Sequence, residues 1–391
     1  MKTPRLAVDE SRGTWLALIL ALGYVLAVAC CNEYREVFEI DPDESNNLIK
    51  ALLLEHGASF GGDLWSDQPP LFTYLLAGWF RVVGQSVEHA RTFVLGFAGL
   101  AVFALVDSAR RLGGLLAALG AFVWLVGSSA FVPLSVSVMI GLPSVALLSA
   151  ACWAALVEGQ LLSTSLPGSP SGLPSGSPPA SRGRRFAWLA LSGALLGASW
   201  GVKLFTGFAV VPLVLTVGAS ALRRSWSAGW RARALELGCA WLIWGLGVVV
   251  VFGVVLLPYL GATGDQELIE AHAGLRATRP EWFVGWGSVR GFLVDDAVLF
   301  GAALLGVVVT LLRRRWAALS FFGWLLLAGL ALALHFPVWP HHRVLVTLPA
   351  AALAGLGVGG VLTALLAWIG RRWAGLSRPG GPAAVALGVV A

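Results

Sequence analysis

Charge is what this sequence has least of: of 391 residues only 12% are Asp, Glu, Lys or Arg, while 57% are hydrophobic. A soluble globular domain carries about a quarter charged residues, so that scarcity and a mean hydropathy of +0.79 exclude an ordinary soluble fold. Cysteine is also scarce. The four present, Cys30, Cys31, Cys152 and Cys239, have no spacing that would build a metal knuckle or a disulfide framework, and read as small apolar packing residues. The net charge of +6 points to no nucleic acid, because a membrane chain collects basic residues in cytoplasmic loops for reasons of topology.

What is present is a series of long apolar runs, at about 14–31, 91–109, 113–132, 142–158, 186–202, 204–222, 235–259, 291–312, 316–334 and 343–368. Hydrocarbon offers no partner to backbone N–H and C=O groups, and runs of this length are too long for barrel strands, so each is expected to be a helix. The first has no small-residue cleavage site after it and reads as a retained anchor. A further apolar run opens at Pro382 and is still under way at Ala391, either a short final span or one cut off there. The expected fold is all-α, a polytopic bundle of about 10–11 spans forming a single integral membrane domain.

Basic residues then orient the spans. Lys2, Arg5, Arg12, Arg110, Arg111, Arg182, Arg184, Arg185, Arg223, Arg224, Arg231, Arg233, Arg313 to Arg315, Arg371, Arg372 and Arg378 make up 18 of the 27 basic residues, and each cluster follows an even number of crossings. All of them fall on one side, the cytoplasm. That count requires the short stretch 69–84, which opens on two prolines and carries Arg81, to be an interfacial or re-entrant helix on the outer face. An extracytoplasmic module is thus expected over 32–90, and a second outer loop over 261–290. Residues 159–185 read as a flexible cytoplasmic linker, because their Ser, Pro and Gly cannot bury enough apolar surface to order.

The loop 32–68 holds nine of the 21 acids: Glu33, Glu36, Glu39, Asp41, Asp43, Glu44, Glu55, Asp63 and Asp67. Within it the segment 41–57 reads as a Pro turn entering an amphipathic helix, with Asp43 and Glu44 in its first turn. By spacing alone these acids serve equally as helix-start charges or as a site.

The combination of Pro42-Asp43-Glu44 after the first span, a surface helix ending in His56-Gly57, the stretch Trp65-Ser66-Asp67-Gln68-Pro69-Pro70-Leu71 and Ala90-Arg91 leading the next span resembles a known family. It is that of the GT-C membrane glycosyltransferases that use polyprenyl-phosphate sugars, similar to glycosyltransferase family 39, with the dolichyl-phosphate-mannose protein mannosyltransferases and the lipid A aminoarabinose transferases. Gly201-Val202-Lys203 and His335-Phe336-Pro337-Val338-Trp339-Pro340-His341-His342 extend the likeness over most of the chain.

The resemblance implies a transferase that moves a sugar from a polyprenyl phosphate to a lipid, glycan or protein acceptor at the outer face of the plasma (inner) membrane, with inversion if there is one displacement. Asp43, with Glu44 beside it, matches the family's catalytic acid and would accept the acceptor's proton. The leaving phosphate needs cations or donors; Lys203, Arg91, His341, His342 and Arg343 are the candidates, with Asp67 and Gln68 at the substrate. No metal ligands are assigned, since no carboxylate adjoins the histidines in the chain, and a divalent cation is left open. Where relatives often carry an acid before the proline, this chain reads Gly141-Leu142-Pro143; Asp295 and Asp296 are the acids that could substitute. A transporter or flippase of lipid-linked substrates, and a silent relative that binds a lipid-linked sugar, are the alternatives.

Overall fold

The computed structural model describes residues 10–31, 33, 34, 37, 40–60, 63–160, 182–227, 229–257, 284–335 and 337–376. These form fourteen α-helices, three short 3-10 turns and, among the described residues, no strand beyond one bridge between Phe60 and Leu64. The helices are α1 (Glu10–Cys31), α2 (Pro42–Glu55), α3 (Leu71–Val83), α4 (Val87–Gly113), α5 (Leu115–Val126), α6 (Phe131–Ser135), α7 (Gly141–Gln160), α8 (Arg182–Val202), α9 (Val210–Arg224) and α10 (Trp230–Leu256). They continue with α11 (Trp286–Asp295), α12 (Ala297–Leu312), α13 (Leu319–Leu334) and α14 (Val344–Leu376).

Among the described residues seven helical stretches are long and apolar enough to cross a membrane, eight if the bent pair α11–α12 is one span. The protein is an integral membrane protein. Two expected spans are interrupted. The run 113–132 divides at Gly127 into α5 and α6, and the twelve residues of α5 reach about 18 Å, short of a hydrocarbon core of about 30 Å. The run 291–312 bends by 90° between α11 and α12, and Asp295 and Asp296 at the joint both pair with Arg343. The stretch 69–84 forms α3, thirteen residues and too short to span, as its prolines suggested. α7 runs to Gln160 and α8 starts at Arg182, so the ends of the expected linker are helical; the rest of it, and most of the loop 261–290 with Arg276 and Arg279, lie outside the described residues.

α7 is the central helix, buried along nearly its whole length between α4 and α8. α10 closes on α8 because the latter presents glycine there: a Cβ at Gly193 or Gly197 would land on the Trp244 or Val248 carbonyl of α10. Large apolar side chains along α1 and α10, such as Ile19, Leu26, Leu246 and Val250, stay exposed, as lipid-facing positions do. Of the cysteines only Cys152 packs inside; Cys30, Cys31 and Cys239 are exposed.

The basic clusters among the described residues gather at one end of this bundle. Asp107 binds Arg110 at 2.7 Å and Arg111 at 2.6 Å and accepts from Trp153 Nε1, while Arg111 reaches Gln160. Glu158 and Glu236 are shared by Arg185 and Arg224, which ties α7, α8, α9 and α10 together. Arg315 donates to the Leu112 carbonyl. α2 and α3 lie at the opposite end, beyond the far ends of α1 and α4, and that end carries the site.

Candidate functional site

α2 starts as its sequence dictates. Asp41 is the N-cap and accepts from the Asp43 amide at 3.0 Å, Pro42 occupies the first turn with its missing N–H harmless there, and Asp43 and Glu44 face the positive end of the helix. The two acids then diverge. Asp43 is exposed, whereas Glu44 is 1% exposed. Glu44 forms a two-pronged ion pair with Arg91, at 2.9 and 2.6 Å, and also accepts from the Ile40 and Val138 amides. Arg91 Nη1 donates to the Tyr34 and Val37 carbonyls. Both side chains are consumed by the fold: they fasten the start of α2 to α4 and to the turn before α7, where Asn47 also holds the Val138 carbonyl at 2.9 Å.

Lys203 stands where α8 breaks into the 3-10 turn Leu204–Ala209. The broken backbone is resolved by hydroxyls: Thr206 donates to the Lys203 carbonyl, Ser199 to the Ser144 carbonyl, and the Ser199 and Thr206 hydroxyls meet at 2.9 Å. The ammonium is 6% exposed. Burial pushes it down to about 8, opposed by the fields of Asp67, Asp43 and Asp41. All three carboxylates thus lie on the same side of the fold as this cation, close enough for their fields to reach it.

The histidines arrive on the turn Pro340–Arg343. His341 Nδ1 lies 3.5 Å from Asp41 Oδ2. His342 stacks flat on Phe205, just beyond Lys203, with ring centres 5.5 Å apart and 6° between planes, and its Nδ1 accepts from the Trp339 amide, which leaves the N–H on Nε2. His335 packs edge-on against Phe205 at 4.7 Å. On the other side Gln68 donates to Asp67 at 3.2 Å, and its own carbonyl oxygen is buried without a partner.

The fold thus brings Asp43, Asp67, Gln68, Lys203, His341 and His342 to one end of the bundle, four chain segments converging. Arg343 is withheld: it pairs with Asp295 at 2.9 Å and Asp296 at 3.2 Å, so those acids clamp a helix joint instead of replacing the acid missing before Pro143. Asp41 was visible in the sequence only as one acid among nine. Asp41, Asp43 and His341 each offer a ligand atom within 4.8 Å of the others, an O,O,N set that suits a divalent cation of intermediate hardness. The argument from sequence against a metal, that no carboxylate adjoins the histidines, fails because the carboxylates come from the far end of the chain.

No protein-family model and no curated protein sequence matches the chain. Solved structures do. ArnT from Cupriavidus metallidurans bound to undecaprenyl phosphate superposes with a TM-score of 0.59 at 16% identity, over 94% of this chain and 64% of that one. Its apo form gives 0.59 over 89% and 60%. The archaeal oligosaccharyltransferase AglB from Archaeoglobus fulgidus, in complex with an inhibitory peptide and a dolichol-phosphate, gives 0.57 at 10% identity over 98% and 54%. The chain spans under two thirds of the length of these proteins, and across that span it has the GT-C fold.

Proposed function

We propose that the protein transfers a sugar from a polyprenyl-phosphate donor to an acceptor hydroxyl, at the extracytoplasmic face of the plasma (inner) membrane. The observation that carries this is an exposed carboxylate, Asp43, whose field reaches a buried lysine, Lys203, at the end of the bundle opposite the arginine clusters. The positive-inside rule sets the arginine end in the cytoplasm and the site outside. The polyprenyl phosphates held by the two fold neighbours supply the donor class.

In this reading Asp43 accepts the proton of the acceptor hydroxyl as its oxygen attacks the anomeric carbon. The bond from that carbon to the phosphate oxygen breaks, and the electron pair leaves with the lipid phosphate. Lys203, in a water-poor position, holds the developing charge on that phosphate, where an ammonium acts more strongly than in water. The His342 Nε2–H and the Gln68 amide serve as hydrogen-bond donors to donor sugar or phosphate. Glu44 and Arg91 keep Asp43 aimed and touch no substrate. One displacement inverts the anomeric centre. A divalent cation on Asp41, Asp43 and His341, when bound, supplies positive charge for phosphate oxygens.

The test is direct. Purified protein in nanodiscs, given labelled polyprenyl-phosphate sugars and an acceptor extract, is expected to yield a labelled covalent product. Accumulation of the lipid-linked sugar across a vesicle membrane with no covalent product would instead assign a flippase, the reading favoured by the broken span α11–α12.

A further inference from the structure

Two turns along α2 from Asp43, on the same side of the helix, Lys50 reaches toward the segment that precedes α3. Its ammonium lies 5.6 Å from the centre of the Trp65 ring, 3.4 Å from the Ser66 hydroxyl and 3.9 Å from Asp67 Oδ1. These are loose contacts for a group with three donors; the ammonium is held near its partners without being saturated by them. Trp65 is 56% exposed, and the Asp67 side chain 45%. An exposed indole beside a charged pair forms a flat apolar plate with a donor and an acceptor at its edge.

A pyranose fits that combination. One face of the ring is a layer of C–H groups that can lie on an indole, and its rim carries neighbouring hydroxyls, one able to accept from Lys50 while the next donates to Asp67. Charge selects among saccharides. The Lys50–Asp67 pair at the edge of the plate carries no net charge, so an anionic sugar meets repulsion from Asp67 that a neutral one does not. Position selects between donor and acceptor. Lys203 is buried among helices, whereas Trp65 and Asp67 lie exposed on the surface of the fold, where an acceptor can reach them without entering the bundle.

We infer that Trp65, Lys50 and Asp67 form an acceptor subsite for an uncharged pyranose bearing adjacent hydroxyls, so that the acceptor is a glycan. This rests on the transfer reading for the word acceptor, but its binding chemistry is measurable without turnover. The full chain in nanodiscs is titrated with methyl glucoside, methyl mannoside and glucose 6-phosphate by saturation-transfer NMR, and separately with undecaprenyl phosphate.

The methyl glycosides are expected to bind in the millimolar range and glucose 6-phosphate more weakly. Trp65→Ala and Lys50→Met are each expected to weaken the glycosides about tenfold, the cost of losing a stacking plate or a charged donor, with the affinity for undecaprenyl phosphate unchanged. The subsite is overturned if the wild type gives no saccharide signal, if neither variant alters it, if glucose 6-phosphate binds best, or if both variants weaken undecaprenyl phosphate equally. A protein that transfers no sugar yet loses glycoside binding in Trp65→Ala keeps the pyranose site and loses the transfer reading. Transfer with an unaltered acceptor KM in Trp65→Ala does the reverse.

Discussion

Asp43 and Glu44 are neighbours in the chain with opposite surroundings, and the difference decides what each can do. Glu44 and Arg91 are both under 3% exposed and meet at 2.6 Å, so removing one partner strands the other charge in the interior. Glu44→Leu and Arg91→Met are each expected to cost about 3–5 kcal/mol. The double variant should cost less than their sum, as read by thermal unfolding in detergent; strict additivity would show that the two do not act as a pair.

Lys203 gives a pH signature of its own. Its folded value, about 8, lies below the usual 10.5, so between those values the unfolded chain binds the proton more tightly. Stability should rise with pH across that window. Affinity for undecaprenyl phosphate should do the opposite, full below about 8 and falling above it, and Lys203→Gln should flatten that fall. Sequence pointed to Lys203 because a lone cation between two apolar runs is conspicuous. It could not separate Asp43 from Glu44, since burial of one depends on Arg91, 47 residues away, and it could not pair Asp41 with His341 at all.

Among the helices, those visible in the sequence were the ones whose only requirement is apolar length, and α1, α4, α7, α10 and α14 came close to their expected ranges. The breaks were illegible. Hydropathy does not register that α11 turns against α12 through 90°, nor that Asp295 and Asp296 at the joint pair with Arg343. Nor does it register which glycines face a neighbour. Gly193 meets the α10 backbone whereas Gly245 meets nothing, so Gly193→Leu is expected to destabilise by about 1–3 kcal/mol or more through overpacking, with Gly245→Ala nearly neutral. Equal shifts in melting temperature for the two would contradict the close approach of α8 and α10.

The bundle as a unit has two unlike ends: arginines paired with Asp107, Glu158 and Glu236 at one, and the Asp43–Lys203 site under α2 and α3 at the other. A cysteine placed at Gln85, an exposed position beside α3, in a chain with its four native cysteines replaced, should react with an impermeant maleimide added outside intact cells. One placed at Ser227, near the arginines, should react only after permeabilisation. The reverse pattern would put the site in the cytosol. That end-to-end asymmetry was readable in the sequence from its basic clusters alone, because the physics that sorts Lys and Arg across a bilayer acts on short loops. The meeting of four distant segments at the other end was readable only through resemblance.

Replacement of Asp43 by Asn, which keeps the size and shape of the side chain and removes its negative charge and its capacity to take up a proton, bears most directly on the proposed chemistry. Transfer from a labelled polyprenyl-phosphate sugar and binding of undecaprenyl phosphate are measured side by side in the wild type and the variant. Transfer is expected to fall by at least about a hundredfold, while the lipid phosphate binds as tightly as before or more so, since a nearby negative charge has gone. A variant that still transfers sugar at the wild-type rate would remove Asp43 from the reaction.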